Sequence, residues 1–357
     1  MFVLDPCDSL CRGSLRAWLL LQEALRFEPE LAAACLRRHS EPALALASSG
    51  RSASAAPADL DRWARLLAQR AAVGLPLTAP AYPARLAVLP DPPPLLWVRG
   101  DPTALAADAV AIVGARAATA YGLGVARSLA RGLAEQGLVI VSGLARGIDA
   151  AAHRGALEAG GRTVAVLACG PDQVYPSEHR KLADEIAERG AVVTEHPPET
   201  PPLGHYFPLR NRLISGLARA VIVVEARGRS GSLITARHAA GQGRDVMAVP
   251  GPIDGPVSTG PNRLIRDGAR PVLGVGDVLE ELQWERCTPE QPAPAEADTA
   301  EVGAIVCALR HAPLGRDELC RELGRSPEAL ALDLVNLELE GRVVEDRDGR
   351  LRLMSSR

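Results

Sequence analysis

The chain has 357 residues, 47% of them hydrophobic and 23% charged, with a formal net charge of −3. That length exceeds one ordinary core, so two or three domains are expected, and the composition is that of a globular rather than a disordered protein. The slight acidity excludes a global attraction to nucleic acid, so any nucleic-acid site must be a local patch.

The N-terminal stretch MFVLDPCDSLCRGS is acidic at Asp5 and has no apolar run with a cleavage site, so no signal peptide is expected. Apolar runs such as AVIVVEA (220–226) fall far short of a membrane span. The seven cysteines are odd in number and scattered, without a C-x-x-C pair. They read as free thiols in a reducing cytoplasm, with neither zinc nor a disulfide framework expected.

Residues 9–72 carry apolar residues at three- and four-residue spacings, in SLRAWLLLQEAL, ELAAACLRR, EPALALAS and DLDRWARLLAQRA, which predicts a helical N-terminal domain over 1–75. The connector PAYPARLAVLPDPPPLLWVRGDP (80–102) is expected to be mostly extended, because proline blocks helix and biases its predecessor away from it. Six short Val/Ile-rich runs follow, at 109–114, 138–143, 163–170, 191–195, 220–226 and 245–251, with amphipathic segments of helical length between them. Apolar strands separated by helices predict a mostly parallel sheet covered on both faces. The fold class is therefore α/β, a doubly wound, Rossmann-like domain over 76–284, with ligands expected beyond the carboxyl ends of the strands. Residues 285–298 read as a Pro/Ala/Glu linker. The tail, 299–357, has helical patterns at 299–311, 315–324 and 326–341 and a hairpin with Asp-Gly at its turn, which resembles a winged helix.

Four stretches carry possible chemistry. In IVGARAATAYG (112–122) a strand ends at Gly114, Arg116 sits in the turn and a helix begins, which suits phosphate. The pattern is not G-x-G-x-x-G and no acid closes the second strand, so no dinucleotide is expected. In SGLARGIDAAAH (142–153), Asp149 and His153 share a helix face. Without a third ligand they read as structural rather than as a metal or acid–base pair. In RGRSGSLITARHAA (227–240), Ser230, Gly231 and Ser232 fall where a helix begins and suit either a phosphate cradle or an ordinary N-cap.

The fourth stretch, YFPLRNR (206–212), puts one of only three Phe beside one of four Tyr, with two arginines following. From His205 to Arg244 there are seven arginines and one acid, Glu225, inside a chain of net −3. Arginines in a groove with an adjacent ring suit single-stranded nucleic acid, the charges tracking the backbone and the ring stacking a base. A solvated arginine face with Phe207 in the core is the competing reading. No Ser-His-Asp triad, carboxylate pair or Walker lysine accompanies these residues, and neither a catalytic residue nor a cofactor is assigned.

The blocks AIVGARAATAYG, VSGLARGIDAAAH, VYPSEHRKL, FPLRNRLISGLARAVIVVEARGRSGSLITARHAA, GRDVMAVPG and GPNRLIRDGA resemble, in order and spacing, the signature of the DprA/Smf family over roughly residues 80–280. The resemblance implies a small helical domain of sterile-alpha-motif type before the Rossmann domain and a winged helix after it. It implies a non-enzymatic role in natural transformation: binding incoming single-stranded DNA in the cytoplasm, protecting it, and loading RecA recombinase onto it. It also implies a homodimer formed through the Rossmann domain. By the same resemblance Arg116 matches a DNA-contacting arginine, and Phe207, Arg210, Asn211 and Arg212 fall in a DNA-pocket motif. Ser230, Gly231 and Ser232 match the small-residue turn lining that pocket, and Thr119 stands where the family often has Ser. Two other classes stay in view. Rossmann-type phosphoribohydrolases share a similar core, but this chain has SGSLIT in place of P-G-G-x-G-T; a purely structural docking protein is the third. The helix at 326–341 carries Glu328, Asp333, Glu338 and Glu340 and no Lys or Arg, so it is not expected to enter a DNA groove. Its Leu330, Leu334, Val335 and Leu337 are expected to pack within the tail, which reads as a docking or regulatory module.

Overall fold

The computed structural model describes Leu4, residues 12–284 and, in the tail, residues 305, 308–309, 313–339, 343–346 and 348–353. The chain divides into two compact units, Met1–Arg286 and Cys287–Arg357.

The first unit opens with α1 (Arg12–Ala24), α2 (Pro29–Arg38), α3 (Pro42–Ser48) and α4 (Pro57–Gln69). Proline starts three of them, where its missing N–H would have had no intrahelical partner anyway. Their apolar faces, with Leu15, Trp18, Leu19 and Leu67, bury against Leu95 and Trp97. Gln22 completes the seam: its Oε1 accepts from Trp97 Nε1 at 3.0 Å and its Nε2 donates to the Glu195 carbonyl at 2.8 Å. The helical layer therefore shares a core with the sheet.

The sheet then builds through β1 (Ala72–Pro76), the short α5 (Ala84–Ala87), β2 (Leu95–Gly100), β3 (Ala109–Val113), α6 (Ala120–Glu135), β4 (Val139–Ser142), α7 (Ile148–Glu158) and β5 (Thr163–Val166). It continues with α8 (Arg180–Arg189), β6 (Ala191–Thr194), α9 (Tyr206–Leu217), β7 (Ala220–Val223), α10 (Gly231–Gly241), β8 (Asp245–Ala248), α11 (Thr259–Arg266), β9 (Arg270–Pro271) and α12 (Val275–Glu281). The strand order is β1-β2-β6-β5-β4-β3-β7-β8-β9. All pairs from β6 to β9 are parallel, while β1–β2 and β2–β6 are antiparallel. The six strands expected from Val/Ile runs are β3 to β8; β3 to β7 are fully buried because helices cover both faces, and β8 is buried only at Met247 and Ala248. The proline-rich connector, expected to be mostly extended, instead turns through the short helix α5 and a run of bends, and only its end is extended, as the sheet strand β2. Strands β1 and β9 were not expected.

The linker expected at 285–298 lies outside the described residues, as do most of the helix expected at 299–311 and Arg347 of the hairpin. The described tail has helices Arg316–Leu323 and Pro327–Leu339 and a three-stranded sheet of Leu314–Gly315, Arg350–Leu353 and Val343–Glu345. Leu319, Leu330, Leu334, Leu337, Val343 and Leu351 form its core. Val335, expected inside, is 46% exposed: Leu330, Leu334 and Leu337 occupy one helix face and Val335 lies off it.

Candidate functional site

Strand β3 lies between β4 and β7, so the strand order reverses beside it when the chain crosses back from β6 through α9. In open α/β sheets such a reversal opens a crevice beyond the carboxyl ends. Here that crevice is a cleft of about 380 Å³. One wall is the β3–α6 loop with Gly114 and Arg116, the second is the start of α9, and the third is the segment Arg227–Ser232 leading into α10.

Helix α9 presents Phe207, Arg210, Asn211 and Ile214 to the cleft. Their spacing of three, four and seven residues places them on one face. Arg210 is only 4% exposed. Its Nη1 donates to the carbonyls of Gly143, at 2.9 Å, and Val166, and its Nε donates to Asn211 Oδ1 at 3.3 Å. Burial lowers its pKa to about 10, against the pull of Asp149. Asp149, also lining the cleft, accepts from the backbone N–H of Gly143 and Ala145 at 3.2 and 3.3 Å. Burial raises its pKa although Arg210 and these N–H groups oppose the shift. The cleft floor is thus a buried guanidinium and carboxylate, each tied to main chain.

Above the floor the Arg116 guanidinium lies 5.0 Å from the half-buried Phe207 ring, and Arg210 lies 6.0 Å from it on its own side. Tyr175, 43% exposed, tilts against Phe207 with ring centroids 5.5 Å apart. At the third wall Ser230 caps α10, and its hydroxyl sits 2.7 Å from that of Ser232. Asn211 Nδ2 donates to the Gly231 carbonyl at 3.1 Å, joining this wall to α9. Arg116, Arg227 and Arg229 are exposed, and among the described residues no carboxylate pairs with them.

Seven of the nine residues singled out from sequence converge here: Arg116, Phe207, Arg210, Asn211, Ser230, Gly231 and Ser232. Thr119 and Arg212 do not line the cleft. Thr119 caps α6, and Glu225 holds it from below: the Thr119 hydroxyl donates to Oε1 at 2.5 Å and its N–H to Oε2 at 2.8 Å. It fixes the loop that carries Arg116. Arg212 points to the other side of α9, where its buried guanidinium donates to Asp91 at 2.6 Å and to both oxygens of Glu195 at 2.7 and 2.8 Å. His153 is buried on Thr163, with Nδ1 and Oγ1 2.7 Å apart, and plays no part in the cleft. Arg227, Arg229 and Tyr175 are lining or flanking groups that were not singled out. The two arginines were visible as members of the arginine-rich stretch. Tyr175 approaches from another segment of the chain and had no local signal.

The sequence matches the family described as DNA recombination-mediator protein A over residues 75–283, more than half its length. The chain belongs to the DprA/Smf family. Residues 289–349 match the DprA winged helix domain. Curated relatives include Protein Smf of Escherichia coli, 40% identical over 287 residues, covering 78% of this chain and 77% of that protein. DNA processing protein DprA of Bacillus subtilis is 46% identical over 209 residues, 58% of this chain and 70% of the relative. Among solved structures, DNA processing protein A of Streptococcus pneumoniae aligns with a TM-score of 0.60 and 39% identity, covering 70% of this chain and 86% of that one. A DNA processing protein A of Helicobacter pylori, described for its single-stranded DNA binding mode, aligns with a TM-score of 0.53 and 33% identity over 56% of this chain and 92% of its own. The matched family region contains every cleft residue named above. No helix among the described residues is long and apolar enough to cross a membrane.

Proposed function

We propose that this DprA/Smf protein is a non-enzymatic DNA-recombination mediator whose cleft binds single-stranded DNA, protects it during natural transformation and presents it to RecA recombinase. One observation carries the reading. A cleft at the strand-order reversal sets the unpaired arginines Arg116, Arg227 and Arg229 around the rings of Phe207 and Tyr175. Unpaired guanidiniums favour a polyanion, and the partly exposed rings of Phe207 and Tyr175 favour unstacked bases, which a duplex does not offer. The helix N-terminus at Ser230 adds backbone N–H groups suited to a phosphate. The single-strand binding described for the Helicobacter pylori relative supports the same reading. Assembly as a homodimer through the Rossmann domain and loading of RecA are part of the proposal on family grounds.

The reading makes the protein a binder rather than a nucleotide hydrolase. The one carboxylate lining the cleft among the described residues, Asp149, is engaged by two backbone N–H groups. Titration of single-stranded against duplex oligonucleotides tests the proposal. Single strands are expected to bind at least tenfold tighter, a gap of about 1.4 kcal/mol. Equal affinity for duplex, or release of base from AMP at an enzymatic rate, would overturn it. A RecA filament assay on strands coated with a single-strand-binding protein tests the loading step.

A further inference from the structure

Two of the chain's three Phe and two of its four Tyr meet around the first turn of α9, but only Phe207 and Tyr175 belong to the cleft and its flank. The other pair is Tyr206 and Phe27. Successive residues of a helix point about 100° apart, so Tyr206 leaves α9 in a different direction from Phe207 and meets the N-terminal layer. It is buried there, with His196 tilted against it at 4.5 Å between ring centroids. Phe27, just past the end of α1, lies nearly parallel to Tyr206, with 11° between the planes and 6.3 Å between the centroids. Phe27 is nevertheless 65% exposed. A ring left that far in water contributes little burial free energy to the fold.

This platform carries a charge. Arg26 lies over both rings, 5.6 Å from the centroid of Phe27 and 5.3 Å from that of Tyr206. Its Nη2 donates to Thr200 Oγ1 at 2.7 Å, its Nε is buried without a hydrogen-bond partner, and among the described residues no carboxylate pairs with it. The acids beside it in the chain are engaged elsewhere, Glu23 by Ser54 and Glu28 by Arg51, while Glu30 is exposed. From Thr200 to Val224 the chain has no Asp or Glu, so the segment that joins the platform to the cleft offers no repulsion to a polyanion. Gly204 and His205, where α9 begins, are exposed.

The platform is also held in place against α9. Arg62 donates to Glu199 from Nε and from Nη2, each at 2.9 Å, and Trp63 Nε1 donates to the same carboxylate at 2.8 Å. With Arg26 on Thr200, these bonds tie the loop leading into α9 to the N-terminal layer.

We infer that the strand held in the cleft passes over the start of α9 and stacks a further base on Phe27, with Arg26 beside its phosphate. The inference rests on the reading of the cleft as a single-strand site and adds a second stacking platform, supplied by the N-terminal layer. Ring faces accept any base, and an exposed ring beside an uncompensated guanidinium is the pairing that single strands use.

Binding of a poly-dT strand of about 16 nucleotides, the upper end of common site sizes, and of an abasic strand of equal length and charge tests it in the full chain. Phe27→Ala is expected to weaken poly-dT about fivefold or more without changing its salt slope, and to stay within about twofold of the parent on the abasic strand. Phe27→Trp is expected to bind poly-dT as the parent does, and Phe27→Leu, apolar but without a ring, to weaken it as alanine does. Arg26→Gln, which keeps a donor for Thr200, is expected to shallow the log–log salt slope by about 0.7. Equal weakening on both strands would mean that Phe27 merely supports Tyr206 and α9, and parental binding by Phe27→Leu would mean apolar cover rather than stacking. No effect of Phe27→Ala while Arg116→Ala weakens both strands would leave the cleft without the platform. Each of these three outcomes overturns the inference and leaves the cleft standing. If the unaltered protein does not bind poly-dT, the cleft reading fails and the platform falls with it.

Discussion

Gly143 and Arg210 fit each other twice: the glycine carbonyl accepts from the Arg210 guanidinium at 2.9 Å, and the glycine's missing side chain is the space that guanidinium fills. A Cβ on Gly143 would stand 2.6 Å from Arg210 Nη2 and 2.8 Å from its Cζ. Arg210 cannot swing away cheaply, because it is buried and holds two carbonyls. Gly143→Ala is therefore expected to cost about 1–3 kcal/mol of stability as overpacking. It should also weaken single-strand binding by disturbing Phe207 above the guanidinium. Thermal melting and an oligonucleotide titration check both; an unchanged melt would mean that Arg210 has another place to go.

The arginines of α9 and those of the cleft mouth should fail in different ways. Arg212 is buried on Asp91 and Glu195, with its side chain 6% exposed. Removing one partner of a buried pair costs about 3–5 kcal/mol, and here the lower end applies because Asp91 is partly solvated. Arg212→Ala is expected to lower thermal stability without changing the salt slope of the protein that stays folded. Arg116→Ala and Arg227→Ala are each expected to leave stability unchanged and to shallow the slope by about 0.7 per lost contact. Salt titrations beside melting curves distinguish the two classes.

The rings should act by stacking rather than by charge. Phe207→Ala is expected to weaken single-strand binding by about 1–3 kcal/mol with little change in salt slope, and Phe207→Trp to be tolerated. Tyr175 leans on the same ring, so Tyr175→Ala should fall in the same range and be less than additive with Phe207→Ala. A melting loss much larger than that of Arg116→Ala would place Phe207 in the core instead.

Acid should destabilise the first unit through its buried histidines. Thr163 donates its hydroxyl to the Ile140 carbonyl, so it accepts from His153 Nδ1–H, and Nε2 is left buried and unprotonated. Burial lowers the pKa of His153 to about 3 and that of His196 to about 4. Both lie below the unfolded value of about 6.5, so the unfolded chain binds more protons in between. The stability is present above that value and is lost as pH falls from about 6.5 toward 4, at up to about 1.4 kcal/mol per pH unit for each histidine. Asp149, whose pKa is raised by burial, has the opposite sign and offsets part of the loss at the acid end. Denaturant unfolding across this range should show an acid limb, flattened in His153→Asn by one proton's share.

Most of the fold was legible because parallel strands covered on both faces are continuous apolar runs, and β3 to β8 are such runs. Strands β1 and β2 were not, because Gly74, Pro76 and the prolines before Leu95 obscure the pattern and the pairing partners are far apart in sequence. At the site, composition located the arginine-rich stretch but could not assign each arginine a direction. Helical geometry alone separates Arg210 from Arg212: two residues apart on α9, they face opposite sides, one to the cleft and one to Glu195. Thr119 entered the site only through the resemblance, as a hydroxyl where the family often has Ser, and nothing local announces that Glu225 holds it.

The tail should not read duplex DNA, although it matches a winged helix domain. In a helix-turn-helix the recognition helix enters the major groove between two phosphate backbones. The corresponding helix, Pro327–Leu339, buries Leu330, Leu334 and Leu337 within its own unit. Asp333 on it already binds Arg325 at 2.8 Å, so that arginine is not free for phosphate. The helix sequence carries acids and no Lys or Arg, which a DNA groove repels. A fragment ending at Arg286 is therefore expected to keep single-strand affinity within about threefold, or about 0.7 kcal/mol. The separated segment 299–357 is expected to show no duplex binding at micromolar concentration and physiological salt. Duplex binding by that segment would mean that the hairpin arginines Arg350 and Arg352 outweigh the acidic helix and that the tail contacts DNA after all. Unchanged single-strand affinity together with a silent segment would leave a protein partner as the tail's target.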